Sequence, residues 1–394
     1  MRRVDEGDGA RLDVSELRQA IRDQSAQIER YAAAVDSTQE FNPDLWSLLT
    51  DMGISSLPFD PAYGGLGGSF ANFSSVIEEV AYHGAGAALY CGPTVQVASA
   101  IMEHGSAEQK EQWATPLIRD GRMAAWSFTE PATGSDPKSI ATTARRDGTD
   151  WVLSGGKMFT SFAAYADVAL VYARTVPGRL GAFLVDTSDP GWQPGKPIKM
   201  MAFGGQGTAP VAIDDIRVPA ESLLGDEDKG FDILIGTEAE GKVRASAMCC
   251  GIGRRALHEA VRYASERTHR DVPIGEKFPT IEALIGKMSA KVDAARLLSR
   301  RAALAVDADE GSTALLAASA RIVCSSMARE VASDAMQVCG AYGFTQEMVV
   351  ERLYREAKMY EVGQGVIELQ HIIVGKSRLA EFAATGRLSD TVQP

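Results

Sequence analysis

Residues 355–370 read Arg-Glu-Ala-Lys-Met-Tyr-Glu-Val-Gly-Gln-Gly-Val-Ile-Glu-Leu-Gln, with Gln364 set between two glycines. A carboxamide offers an acceptor lone pair for hydrogen bonding but no useful basicity. Gln364 is therefore either a polar contact in a working turn or an ordinary loop residue, and it is not a proton acceptor. Outward from it the chain has the texture of a large soluble protein. It has 394 residues, 45% apolar and 23% charged, enough apolar material for two or three domains with a sizeable core. No run of 18 apolar residues suggests a membrane span, and the N-terminal residues lack the apolar core of a signal peptide. A net charge of −12 argues against a general nucleic-acid role. The five cysteines are odd in number and follow no framework spacing, which fits a reducing cytoplasm. Cys249 and Cys250 lie in an apolar helical run and read as small buried hydrophobes. No metal site is expected: the five histidines form no zinc pattern, and His258-Glu259 is followed by Arg262 where a second histidine would stand.

Three textures divide the chain. Residues 1–124 read as a helical domain, with helices over Val14–Ala34 and Asp44–Met52 and a helix start at Asn42-Pro43. The Gly-rich run 61–68 lacks a following Gly-Lys-Ser/Thr, so it reads as a tight loop, not a phosphate loop. Residues 125–233 read as a β domain. Thr142–Arg146 and Trp151–Leu153 flank Asp147-Gly148 as a hairpin, and Val168–Ala173, Ala182–Val185 and Val211–Val218 supply further strands. Residues 234–394 turn helical again, with a helix over Val243–Glu266 and an apolar stripe through Ile281, Leu284, Ile285, Met288, Val292 and Ala295. Long helices with short connections suggest a four-helix bundle. The fold class is thus α+β, mainly α: helices, a small β domain, then the bundle.

Several motifs carry chemistry. Phe128-Thr129-Glu130-Pro131-Ala132-Thr133-Gly134-Ser135-Asp136, Lys157-Met158-Phe159-Thr160-Ser161, Arg267-Thr268-His269-Arg270-Asp271-Val272-Pro273-Ile274 and Gln337-Val338-Cys339-Gly340-Ala341-Tyr342-Gly343 precede the 355–370 stretch, and His104–Lys110 precedes the β domain. Taken together, over nearly the whole chain, they resemble the acyl-CoA dehydrogenase family. The resemblance implies that family's fold and an FAD cofactor. It implies that Phe128 and Thr129 face the isoalloxazine, and that Gly134 and Ser135 lie near the pyrophosphate or the pantetheine arm of the substrate. Phe159 stands where the family has a Trp shielding the flavin, and Ser161 where it has the Thr that hydrogen-bonds N5. Both exchanges keep an aromatic face and a hydroxyl. Arg267 is implied to reach the FAD pyrophosphate of a neighbouring subunit, although the family's Phe-Gly is here Arg270-Asp271. Gln337 and Gly340 are implied to line the adenine end across a subunit contact, and Gly365 to border the cofactor, with Val366 in place of a Thr.

The departure at residue 364 bears on catalysis. The family's Glu at this point removes the α-proton of a thioester, and here it is Gln364. Losing a general base typically costs about 10²–10⁴ in rate. Some members carry the Glu on the first long bundle helix, at a position that is Gly241 in this chain. Glu240 is one residue away, a rotation of about 100° around the helix, and is the expected displaced base; Glu238 and Glu368 are the other carboxylates in reach of such a role. Lys242 takes a family Arg position that helps seat the thioester, keeping charge but not the bidentate fork.

The expected function is an FAD-dependent oxidoreductase acting on an acyl thioester, carried on CoA or a carrier protein, in a specialised pathway. The electron acceptor is not legible. A homo-oligomer, tetramer or dimer, is expected in the cytoplasm, with neither nucleic acid nor membrane as partner. Two alternatives stand beside this: other flavin chemistry on the same fold (oxidation, monooxygenation or cyclisation of a tethered substrate), or a non-catalytic partner subunit of a hetero-oligomer. Retention of Thr129-Glu130-Pro131 and Ser161 favours the first reading over a passive subunit.

Overall fold

The computed structural model describes residues 13–176 and 179–389. They form two compact units. One comprises Ala33–Ser69 and Leu89–Glu240; the other comprises Val14–Ala32, Phe70–Ala88 and the chain from Gly241 onward.

The first unit is built around a sheet that has eight strands among the described residues. They are β1 (Ala124–Ser127), β2 (Thr143–Asp147), β3 (Asp150–Thr160), β4 (Val168–Val176), β5 (Arg179–Asp186), β6 (Trp192–Pro194), β7 (Ala209–Val218) and β8 (Leu223–Leu224). Their order is β6-β7-β3-β2-β4-β5-β8, with β1 parallel to β4. The expected hairpin is β2–β3: Asp147 pairs with Asp150, and Gly148 takes the left-handed φ of +66° that the tight turn needs. The centre of β4 and of β5 is buried on both faces, so their apolar runs do not alternate, while β7 alternates buried and open positions. Helices Pro43–Asp51 and Gly92–His104 belong to this unit. Asn42 caps the first as expected, its side chain accepting from Leu45 N at 2.9 Å. After His104, Ser106 and Gln109 form a reciprocal capping box.

The second unit holds the long helices. Gly230–Glu266 starts thirteen residues earlier than the Val243 expected from sequence, and its residues from Gly241 onward join this unit. Pro279–Asp307 packs on Thr313–Cys339, which packs in turn on Val349–Val362 and Ile367–Thr385. The helix expected over Val14–Ala34 is instead two, Ser15–Asp23 and Ser25–Thr38, broken at Gln24, whose φ/ψ of −94°/6° leaves the helical region. Gly251 lets the long helix approach Phe70–Tyr90 closely: a Cβ there would stand 2.6 Å from both the Glu78 carbonyl oxygen and the Ala81 Cβ. Gly251→Val is therefore expected to destabilise this unit by about 3 kcal/mol, the cost of forcing volume against backbone. A urea midpoint unchanged within error would show that the two helices separate freely.

All five cysteines are buried free thiols, and burial pushes the Cys249 thiol up to about 12. Among the described residues no group of three or more His, Cys, Asp or Glu side chains is arranged to hold a metal, and no helix is long and apolar enough to cross a membrane.

Candidate active site

In the first unit β3 does most of the positioning. Its pairing with β7 slips between Lys157 and Thr160, and at that irregularity Phe159 adopts φ +57°. Bulges re-aim side chains next to functional sites, and a left-handed aromatic residue costs of order 1 kcal/mol or more. The result is that Phe159, next to the last residue of β3, is 53% exposed. Ser161 closes the strand. Its hydroxyl lies 3.3 Å from Thr208 Oγ1 and 3.4 Å from Gln206 Oε1. The Nε2 of Gln206 is buried and meets no hydrogen-bond partner among the described residues.

Phe128 follows β1 and is nearly buried, its ring 5.5 Å from Trp126 and 6.0 Å from Tyr172. The Thr129 carbonyl accepts from Met158 N at 2.7 Å, so the Phe128–Thr129 segment lies against the strand that carries Phe159 and leads to Ser161. Beyond it Gly134 and Ser135 are exposed in a loop shaped by Asp136, which accepts from Lys138 N and Ser139 Oγ. Beneath the loop, Lys157 and Glu130 form a buried ion pair at 2.8 Å. Burial pushes the Lys157 ammonium down to about 8, and burial also works against Glu130 ionising, but Lys157 and the Thr142 and Ala141 donors hold its carboxyl below the usual range.

In the second unit Gln364 sits in the turn between the helices Val349–Val362 and Ile367–Thr385. Gln364 and Gly365 are both left-handed, at φ +55° and +78°. The turn is tied at its carbonyls: Arg321, fully buried, donates to Gly363 O at 2.7 Å, and Gln370 donates to Gly365 O at 3.3 Å. The Arg321 guanidinium also lies 5.5 Å from the Tyr360 ring centroid. Arg244 Nη2 donates to Gln364 Oε1 at 3.3 Å. A donor thus faces residue 364 where a proton acceptor is usual in the resembled family, and Gln364 answers as an acceptor. Lys242 is half-buried two residues earlier on the same helix, on a different face from Arg244. Glu240 is half-buried one turn before Arg244.

Arg267 is exposed at the end of the same helix. The following Arg270-Asp271 make the two-residue turn of a small hairpin, both with positive φ (+51° and +62°), the conformation that type I′ turns impose and that glycine adopts more easily. Gln337 and Gly340 are exposed at the end of Thr313–Cys339, and Gly340 has φ/ψ of +59°/−140°, a region open essentially to glycine alone. Tyr263 and Tyr342, 6.5 Å apart between centroids, bring the Arg267 turn beside the Gly340 turn.

The structure therefore gathers Phe128, Thr129, Phe159 and Ser161 in one unit, and Gln364, Gly365, Arg267, Gln337 and Gly340 in two clusters of the other. Sequence reasoning missed Arg244, Arg321 and Gln206. The available signal was a cation inside an Ala- and Ser-containing helical run, isolated in the case of Arg321 and two residues after Lys242 in the case of Arg244.

The first unit suits a flat, polar cofactor: an exposed aromatic residue at the end of β3, a hydroxyl beside it and a buried amide donor without a partner among the described residues. Three family models match the chain: acyl-CoA dehydrogenase N-terminal domain over residues 13–120, middle domain over 125–216 and C-terminal domain over 228–379. Cyclohexane-1-carbonyl-CoA dehydrogenase from Geobacter metallireducens is 34% identical over 377 residues, 95% of this chain and 98% of that protein. Among solved structures, butyryl-CoA dehydrogenase from Megasphaera elsdenii superposes with a TM-score of 0.88 at 29% identity, covering 94% of this chain and 100% of that one. An acyl-CoA dehydrogenase complexed with FAD from Bacillus anthracis gives 0.85 at 25% identity, covering 95% and 67%. The fold and the site define a flavoprotein oxidoreductase. The chain belongs to the acyl-CoA dehydrogenase family, an FAD-dependent family that oxidises acyl thioesters at a CH–CH bond.

Proposed function

We propose that this enzyme oxidises an acyl thioester, on CoA or a carrier protein, with the proton-accepting role moved from residue 364 to Glu240. The observation that carries this is the Arg244–Gln364 hydrogen bond: a carboxamide held by a cation is a positioning group, not a base. Bound FAD would supply the acceptor for the hydride lost from the substrate β-carbon. Phe128, Thr129, Phe159 and Ser161 would hold its ring, the Ser161 hydroxyl would be its nearby donor, and Gly134 and Ser135 would serve the pyrophosphate or the pantetheine arm of the substrate. Arg267, Gln337, Gly340 and Gly365 serve the rest of the cofactor. Lys242 and Ser135 seat the thioester, and Glu240 takes the α-proton.

A cytoplasmic homo-oligomer, tetramer or dimer, is part of the same reading. Ile372, Leu379 and Phe382 repeat along one face of the last helix and are exposed, as is Phe344 at 85%. The departures at residues 242, 270–271, 364 and 366 fall at substrate- and cofactor-side positions and favour a specialised pathway over general fatty-acid oxidation. The decisive experiment is anaerobic flavin bleaching of the holoenzyme against a panel of acyl-CoA and acyl-carrier thioesters. Bleaching is expected for at least one acyl class. Bound FAD with no bleaching by any thioester would overturn the proposal and favour other flavin chemistry on this fold.

A further inference from the structure

The motif Thr129-Glu130-Pro131 and the motif beginning at Lys157 each contain a charged residue that is buried. Glu130 is 5% exposed and Lys157 1%. Their bonding reaches every segment assigned above to the flavin ring. Glu130 Oε1 accepts from Lys157 Nζ at 2.8 Å and from Thr142 N at 3.0 Å, and Oε2 accepts from Ala141 N at 2.6 Å. Lys157 Nζ also donates to Tyr172 O at 2.6 Å and to Phe128 O at 3.3 Å. The three ammonium protons thus have three acceptors, and both carboxylate oxygens are engaged.

Three chain segments meet at this one pair. The first is 128–130, whose backbone Lys157 holds directly at Phe128 O. The second is 141–142, the end of the loop containing Gly134 and Ser135, held by Glu130. The third is β3 itself, where Lys157 opens the pairing slip that lifts Phe159 and leads to Ser161. A fourth tie, to Tyr172 O on β4, fixes the strand whose ring packs on Phe128.

We infer that the Glu130–Lys157 pair is the positioning element of the flavin-ring half-site, setting the distance between the Phe128–Thr129 backbone and the Phe159–Ser161 strand end. This rests on the reading that those four residues hold the ring. Neither charged residue touches the cofactor; both act through the groups they tie down.

A buried ion pair has a plain structural role as its competitor, and the two make different predictions. Replacing a buried pair by neutral side chains is often neutral for stability, whereas breaking one side of it is costly. Glu130→Gln alone is therefore expected to lower both the Tm of the apo-protein and its affinity for FAD. The double variant Glu130→Gln/Lys157→Met removes the unpaired charge, and its Tm is expected to return toward wild type. Its FAD affinity, read by quenching of flavin fluorescence, is expected to stay weaker by about 10-fold or more, the scale on which supporting hydrogen bonds act behind contacting groups. Its bound-flavin absorption band is expected to lose fine structure. Recovery of FAD affinity and spectrum together with Tm in the double variant would overturn the inference, leaving the pair a fold element. A wild-type protein that takes up no FAD would instead overturn the flavin reading beneath it, so the two failures are distinguishable.

Discussion

Glu240→Gln is expected to slow anaerobic flavin bleaching by about 10²–10⁴, the usual cost of losing a general base, while leaving FAD binding unchanged. Adding Gln364→Glu to that variant is expected to restore part of the rate, because residue 364 is where the family ordinarily keeps its carboxylate. The rescue is expected to be incomplete. Arg244 Nη2 lies 3.3 Å from Gln364 Oε1, and a carboxylate placed there would meet a guanidinium at hydrogen-bond distance. An adjacent Arg lowers a carboxyl pKa by about 1–3 units, and a weaker base takes a carbon-bound proton more slowly. Removing that cation with Arg244→Met in the rescued variant is then expected to raise the rate further. Glu240→Gln bleaching at the wild-type rate would remove Glu240 from the mechanism, whatever Gln364→Glu does.

The second large effect concerns stability. Glu79 is 2% exposed and receives hydrogen bonds from Arg18 and Arg22 at 2.9 and 2.8 Å, with Arg254 at 3.4 Å. Burial alone would raise its pKa; the hydrogen bonds from Arg22 and Arg18 and the charge of Arg254 overcome that and hold it down at about 2, from an ordinary 4.5. A shift of this size corresponds to roughly 3 kcal/mol. The folded-state pKa is the depressed one, so this stabilisation is fully present above about pH 4.5 and is lost as pH falls toward about 2. Glu79→Gln is expected to destabilise by about 3 kcal/mol at neutral pH, the low end for breaking a buried pair because Arg18 and Arg22 keep some access to water. Urea unfolding of wild type and variant should converge as pH approaches 2. A gap that stays constant down to pH 3 would show that some other group governs the acid limb.

The sequence was most readable where a local rule acts alone. Asp147-Gly148 marked the β2–β3 turn because a tight hairpin needs a left-handed residue, and Asn42-Pro43 marked a helix start because a side-chain acceptor and a fixed φ serve the first turn. The break at Gln24 carried no Gly or Pro and went unseen, since no local signal in the sequence marks it. Strand β1 was missed for a related reason: Ala-Ala-Trp-Ser has neither alternation nor branching, and its pairing with β4 is parallel and distant in the chain. At the candidate site, the motifs pointed to exposed or loop positions such as Phe159, Gly134 and Ser135. They did not reveal Arg244 against Gln364, which lies 120 positions away, or the four groups that share Glu130 and Lys157. Such contacts depend on which helix face or strand register the fold selects. Arg270-Asp271 was legible as a departure from the family's Phe-Gly, but not that it asks two non-glycine residues to be left-handed.

Phe159 has one further consequence. More than half of a large aromatic ring lies open on a backbone that is itself disfavoured, and the amide Nε2 of Gln206 is buried nearby without a partner among the described residues. A flat ligand that covered Phe159 and accepted from that amide would bury apolar surface of the β unit as well as equip the enzyme. Flavin supply then becomes a proteostasis variable: free FAD at 100 times its Kd would add about 2.7 kcal/mol to folding. Riboflavin-limited cells would be expected to lose this protein by turnover, before any shortage of catalytic turnover was felt.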